Sequence, residues 1–200
     1  MKTKGQFILF TVAEFDEWLR NTQFTRPVRT IQNHHTWSPR YSDFDGGNHF
    51  ALAEGMRKHH VKNNGWADIG QNVTTYPDGT VMICRSFERA PACILGQNAG
   101  AICLEHLGNF DSGRDAMTAE HREAIIQVNA LLCREFALPV NTTSIVYHHW
   151  FDLSTGKRHD GAREPNKTCP GSSFFGGNKV ADAQAGFLPL VKALMVGVRR

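Results

Sequence analysis

Three short stretches carry the residue types that could do chemistry. The first is "NKTCPGSSFF" (166–175), where Lys167 stands two residues before Cys169 and a Pro-Gly turn follows. The other two are histidine pairs, His34-His35 and His148-His149, each closing a β-rich run. In a strand, neighbouring side chains point to opposite faces, so one histidine of each pair can face a site while the other packs. Two histidines and one cysteine make a set of three protein ligands, which leaves the fourth position of a tetrahedral zinc ion open for water. A structural zinc would call for four protein ligands in closely spaced pairs, and the chain has no C-x-x-C. Spacing alone leaves a second reading open, in which both pairs are ordinary hydrogen-bonded strand ends. A third pair, His59-His60, falls on an expected helix and reads as ordinary surface residues.

The remaining cysteines, Cys84, Cys93, Cys103 and Cys133, lie inside apolar runs such as "VMICR" and "AICLEH". They read as small buried hydrophobes in a reducing compartment. Cys169 differs, because its loop is polar and flanked by Pro and Gly.

These residues need a scaffold. A chain of 200 residues, 41% hydrophobic and with a net charge of +3, suits one ordinary folded domain. It holds no dense Lys/Arg block, so no nucleic-acid partner is expected, and a monomer is expected. No run reaches the roughly 18 apolar residues of a membrane span. The start, "MKTKGQFILFTVAEFDEWL", turns acidic with no small-residue cleavage site. It reads as a strand or helix start rather than a signal peptide, so synthesis in the cytoplasm without standard export is expected. Residues 15–21 suggest a short helix, 28–35 a strand, and 48–60 a helix with Asn48 as N-cap. Residues 72–76 and 80–85 flank a "PDG" turn and predict a hairpin. Residues 99–108 predict a buried central strand and 143–149 a strand ending in histidines. Residues 117–138 predict the clearest helix, capped by Thr118, with Ile125, Val128, Leu132 and Phe136 along one face. A long loop is expected over 151–178, a length at which loops are usually functional or disordered. The expectation is a single α/β domain with a central mixed β-sheet flanked by helices.

"IQNHHTW" (31–37), "NNGWADIGQN" (63–72), "PDGTV" (77–81), "GQNAGAICLEHLGNFD" (96–111) and "KTCPG" (167–171) occur in that order. This series resembles the zinc-dependent N-acetylmuramoyl-L-alanine amidases of the type-2 family. That family groups phage endolysins, bacterial wall amidases and animal peptidoglycan recognition proteins. The likeness runs from about residue 28 to 175, with 1–27 and 176–200 as flanking extensions packed on one catalytic domain, 1–200. The resemblance implies a peptidoglycan-recognition-protein-like fold and one Zn2+ per chain. His34, His148 and Cys169 would be its ligands, with His149 the alternative to His148 because a one-residue slip swaps faces. Lys167 matches a catalytic lysine. Some members place a tyrosine after "DIG"; here Gln71 stands there, which cannot titrate. Other bacterial members place a glutamate on the central strand, which is Glu105 here. A solvent-facing strand-end acid is the plainer reading of Glu105, but its apolar neighbours suggest a buried carboxylate suited to a base.

The implied activity is hydrolysis of the amide between N-acetylmuramic acid and L-alanine, an endolysin-like, bacteriolytic degradation of cell-wall peptidoglycan. Glu105 would move the proton and Lys167 would stabilise the oxyanion. His35, Trp37, Trp66, Arg85 and Asn98 are candidates for holding the muropeptide. Trp66 also suits a core, and Arg85 suits a hairpin cap. The rival reading is a non-catalytic peptidoglycan-binding module of the same fold, against which Cys169 argues.

Overall fold

Two strands with almost unbroken buried runs, "TIQNHH" and "AICLEH", set the architecture, because strands buried on both faces sit inside a sheet. In the computed structural model, which describes residues 1–163 and 166–196, they are β3 (Thr30–His35) and β6 (Ala101–His106). They pair in parallel, with His34 opposite Glu105 and His35 opposite His106. The other strands are β1 (Lys2–Lys4), β2 (Phe7–Phe10), β4 (Val73–Thr75), β5 (Val81–Ile83) and β7 (Ile145–Tyr147). The sheet order is β1-β2-β5-β4-β6-β3-β7. β7-β3-β6-β4 is parallel and β4-β5-β2-β1 antiparallel, so the sheet is mixed.

Alternation along the strands sorts side chains into two faces. One face presents Ile31, Val73, Ile102, Leu104 and Ile145 to the larger core. Three helices cover it: α1 (Val12–Asn21), α3 (Ala119–Glu135) and α5 (Leu188–Val196). They bury Phe15, Leu19, Ile125, Val128, Leu132 and Val191 there. The opposite face is covered at its antiparallel end by α2 (His49–Lys62), whose Ala53 and Met56 pack with Leu9, Met82 and Cys84. The parallel end of that face has no helix over it among the described residues, and the cleft lies there.

Local sequence explains the helix starts. Thr11 caps α1 in a reciprocal box with Glu14, and the Thr118 hydroxyl accepts from the His121 N–H to cap α3, as expected. Asn48 precedes α2 but caps nothing: its side chain bonds the Asp45 N–H and the Asp43 carbonyl instead. The last predicted strand stops earlier than expected, at Tyr147, and His148–Trp150 form a 3-10 turn. The long loop carries a bridge between Phe151 and Arg158 and a 3-10 turn at Phe174–Gly176. Positions 164–165 of that loop, and 197–200 of the expected C-terminal flank, lie outside the described residues. After the loop, α4 (Val180–Asp182) runs through a π-helical segment (Ala183–Phe187) into α5.

The cysteines depart from expectation at one pair. Cys93 and Cys103 form a disulfide, which their placement in separate apolar runs does not suggest. Cys84, Cys133 and Cys169 are free and buried. No helix among the described residues is long and apolar enough to cross a membrane.

Candidate metal centre and cleft

One transverse row of the sheet builds the site. β3 pairs Asn33 with Tyr147 of β7, so His148 follows at the end of β7 beside His34. His34 lies opposite Glu105, and Glu105 opposite Thr74. Ligand sites of parallel sheets form where strands end at their carboxyl edge, and this row is at that edge. It opens into a cleft of about 1010 Å³ that includes His34, Glu105, His148, Lys167 and Cys169.

The long loop brings Cys169 to the row, and several contacts hold it there. The His149 N–H donates to the Cys169 carbonyl at 2.8 Å, and Asn178 Nδ2 donates to the Thr168 carbonyl at 2.8 Å. Asp111 accepts from the Thr168 hydroxyl and the Ser172 N–H. Gly171 has φ +123° and lies so close to Phe110 that an added Cβ would sit 2.5 Å from its carbonyl, so only glycine fits. The Cys169–Pro170 peptide is cis.

His34, His148 and Cys169 are all buried, and one ligand atom from each lies within 4.8 Å of the others. The two Nδ1 atoms face each other at 3.2 Å. Two nitrogen ligands of a tetrahedral zinc ion, each at 2.0–2.1 Å, stand about 3.3 Å apart, so the pair fits that ion. Burial depresses both histidines below their ordinary pKa; His34 is further lowered by the neighbouring His148 and by Lys167, and His148, also lowered by Lys167, falls to about 3. Both imidazoles are therefore neutral and free to donate a lone pair. Burial pushes the Cys169 thiol up, and the Glu105 charge adds to this. A divalent cation at the trio offsets that cost, because binding a thiolate releases its proton. The residues fit a zinc ion by donor type, spacing and burial.

His149, one residue on, is turned away. Its Nδ1 meets the Lys167 carbonyl at 2.8 Å, which makes that nitrogen a donor, and its ring packs on Gly161. Glu105 makes no hydrogen bond among the described residues. Burial raises its carboxyl to about 7 against the lowering pull of Lys167. Glu105 is partly buried and lines the cleft, so its carboxyl lies low in the wall yet still opens onto that space.

The other expected site residues divide into two groups. His35, Trp37 and Trp66 line the cleft. His35 accepts the Phe110 N–H at Nδ1, and burial lowers its pKa to about 4. Trp37 is 62% exposed and Trp66 36% exposed, so Trp66 is a rim residue rather than a core one. Arg85 and Asn98 do not line the cleft. Arg85 donates to the Ile69 carbonyl, and Asn98 Oδ1 accepts from the N–H groups of Cys93 and Ile94. Their contacts are with backbone, so the structure does not bring them to the surface where a ligand was expected.

Sequence reasoning passed over one wall. Leu52, Gly55, Met56, His59 and His60 of α2 all line the cleft. Their spacing of i, i+3, i+4, i+7, i+8 is a single helical stripe, a signal present in the sequence. His60 accepts the Gly70 N–H and stacks 4.8 Å from Trp66, so it also holds the rim. Gln71 is fully buried and lines the cleft; its Nε2 donates to Thr74 while its Oε1 has no partner.

A family model described as N-acetylmuramoyl-L-alanine amidase matches residues 24–172. No curated protein sequence matches the chain. Solved structures share its fold. A Drosophila PGRP-LB mutant in complex with tracheal cytotoxin is 18% identical, with a TM-score of 0.59 over 82% of this chain and 84% of that one. The endolysin amidase LysCS from Clostridium intestinale is 19% identical, with a TM-score of 0.57 over 89% and 94%. The Ph2119 endolysin from a Thermus scotoductus bacteriophage is 22% identical, with a TM-score of 0.55 over 86% and 95%.

Proposed function

Because the chain belongs to the N-acetylmuramoyl-L-alanine amidase family, we propose that it is an active zinc amidase, cleaving the bond between N-acetylmuramic acid and L-alanine of peptidoglycan. The observation that carries this reading is the placement of Glu105 in the same sheet row as His34, beside a buried His-His-Cys trio, in one cleft. His34, His148 and Cys169 would hold the zinc ion. When bound, zinc acts as a Lewis acid that polarises a carbonyl and makes water acidic enough to attack at neutral pH.

The chain's own groups do the rest. Glu105, with a carboxyl near 7, is poised to take a proton from the attacking water and to return it to the alanine nitrogen as the amide breaks. Lys167 lies at the cleft beside Cys169 and would place its ammonium against the oxyanion that forms at the former carbonyl. Trp37 and Trp66 present ring surface at the rim, suited to sugar faces and the stem peptide, and His35 lines the cleft with its ring against Phe110. The substrate would enter as a muropeptide, which accords with the tracheal cytotoxin bound to the PGRP-LB mutant of the same fold.

The decisive experiment is turnover of purified cell wall by zinc-loaded protein, read as release of peptides with free L-alanine N-termini. Release supports the amidase. Tight muropeptide binding with no release would instead make the chain a peptidoglycan-binding module of this fold.

A further inference from the structure

His34 belongs to two ligand sets. One is the trio with His148 and Cys169. The other joins it to Cys93 and Cys103: one ring nitrogen of His34 and the two sulfurs also lie within 4.8 Å of one another. The register explains this. Cys103 stands two residues before Glu105 on β6, so its side chain shares the face that carries His34. Cys93 lines the same cleft. The Nδ1 of His34 is taken up with His148, whereas its Nε2 is buried and has no hydrogen-bond partner.

We infer that reduction of the Cys93–Cys103 bond creates a second, sulfur-rich metal site from these two thiolates and His34, one that competes with His148 and Cys169 for the same imidazole. Two thiolates and one imidazole make a softer set than one thiolate and two imidazoles, so it favours ions such as Cd2+ and Cu+ as well as Zn2+.

The backbone supports this independently of the disulfide. Asn98 Oδ1 holds the N–H groups of Cys93 and Ile94 at 2.9 and 3.2 Å. Asn72 clamps Cys103 from both sides, its Oδ1 accepting the Cys103 N–H at 3.0 Å and its N–H donating to the Cys103 carbonyl at 3.0 Å. Reduced thiols would therefore stay beside His34. To share an ion the sulfurs must part to about 3.8 Å, as two Zn–S bonds of 2.3 Å at a tetrahedral angle require. A rotation of the Cys93 side chain toward the open cleft supplies that.

The redox step balances with a reductant that reaches the cleft. A trialkylphosphine attacks the Cys93 sulfur and the Cys103 thiolate leaves. Water then hydrolyses the phosphonium, giving the phosphine oxide and two protein thiols. A divalent ion binding both sulfurs releases their two protons.

The test uses Cys169→Ser, which removes the sulfur of the first set. Thiols are counted before and after phosphine treatment, and Cd2+ is titrated while thiolate-to-cadmium charge-transfer absorption is followed. The disulfide-intact variant should show no such band. The reduced variant should bind one equivalent with about twice the band intensity of disulfide-intact wild type, whose first set offers the Cys169 sulfur alone. Adding Cys93→Ser should remove at least half of that band, and adding His34→Ala should weaken Cd2+ binding at least tenfold. Circular dichroism checks folding, and Cys103→Ser replaces Cys93→Ser if the latter unfolds. The inference is overturned if the thiol count does not rise, if the reduced variant shows no band, or if loss of either cysteine leaves the band undiminished. None of these readings depends on wall hydrolysis, so they stand apart from the outcome of the turnover assay.

Discussion

The two faces of the sheet use the same strands to opposite ends. Facing α3, polar groups close on one another: Asn129 with Asn33, Asn33 with His106, His106 with Thr75, Thr75 with His121, and His121 with Tyr41. Each contact is 2.7–3.0 Å. One residue along each strand, on the cleft face, stand His34, Glu105 and Thr74. Here polar atoms are left over: His34 Nε2 and Gln71 Oε1 are buried without partners, and Glu105 bonds nothing among the described residues. An unpartnered buried polar group costs roughly 1–3 kcal/mol, so a fold keeps one where something else is to meet it. The core face also buries the Tyr147 hydroxyl without a partner, so the contrast lies in the closed Asn129-to-Tyr41 network, which the cleft face lacks.

That contrast can be broken at several points. The largest effect should come from the open face. Cys169→Ser should abolish both stoichiometric zinc, measured by elemental analysis, and wall turnover. Glu105→Ala should keep the zinc but lower turnover by about 10²–10⁴-fold, the range for loss of a general acid–base group. An unchanged rate in this variant would move the proton work to another group. Lys167→Ala should lower kcat by about 10²–10³-fold with a smaller change in KM, as removal of an oxyanion donor does.

The closed face should respond in stability instead. His106→Ala strands Thr75 and Asn33 in the interior and should cost about 1–3 kcal/mol in urea unfolding, with zinc content unchanged. Zinc loss with no loss of stability would erase the distinction between the faces.

The last effect concerns pH. The Glu105 carboxyl is near 7 in the folded chain against an ordinary 4.5. The native state then holds a proton that the unfolded state has shed, so this group lowers stability as pH rises from about 4.5 to 7. Metal-free Glu105→Gln should therefore gain stability relative to wild type across that window, in paired denaturant titrations. A constant difference from pH 4 to 8 would show that burial does not hold the proton.

Much of this is legible in the sequence where local rules act alone. The β3 and β6 runs, the "PDG" hairpin and the capped α3 helix follow from period, turn and cap chemistry. The candidate ligands His34 and Cys169 are reached by resemblance, and the structure brings both to one cleft. His148 is set apart from His149 only by the 3-10 turn at the end of β7, a tertiary detail that a strand pattern does not carry. The Cys93–Cys103 bond joins a loop to a strand with no framework spacing, so nothing local announces it. His121 and Asn129 stand on the buried side of α3 because partners from β3 and β4 await them across the interface, and such partners are invisible to helical periodicity. Arg85 and Asn98 invite a ligand-binding reading because they are polar residues near motifs; backbone carbonyls and N–H groups claim them first.

The fastening of Cys169 has a practical corollary. Its anchors come from Asp111, His149 and Asn178, none of which lies within 151–163. That upstream stretch has separate moorings of its own, with Gln97 on the Gly156 carbonyl and Arg158 on the Thr142 carbonyl. The hydrogen bonds that hold the cysteine are thus separate from those of that segment, whose Gly161 still packs against the His149 ring. Residues around Ser154 and Thr155, exposed at the tip, form a natural graft point where a reporter or an affinity peptide can be spliced in while the distance between the sulfur and the two imidazoles is preserved.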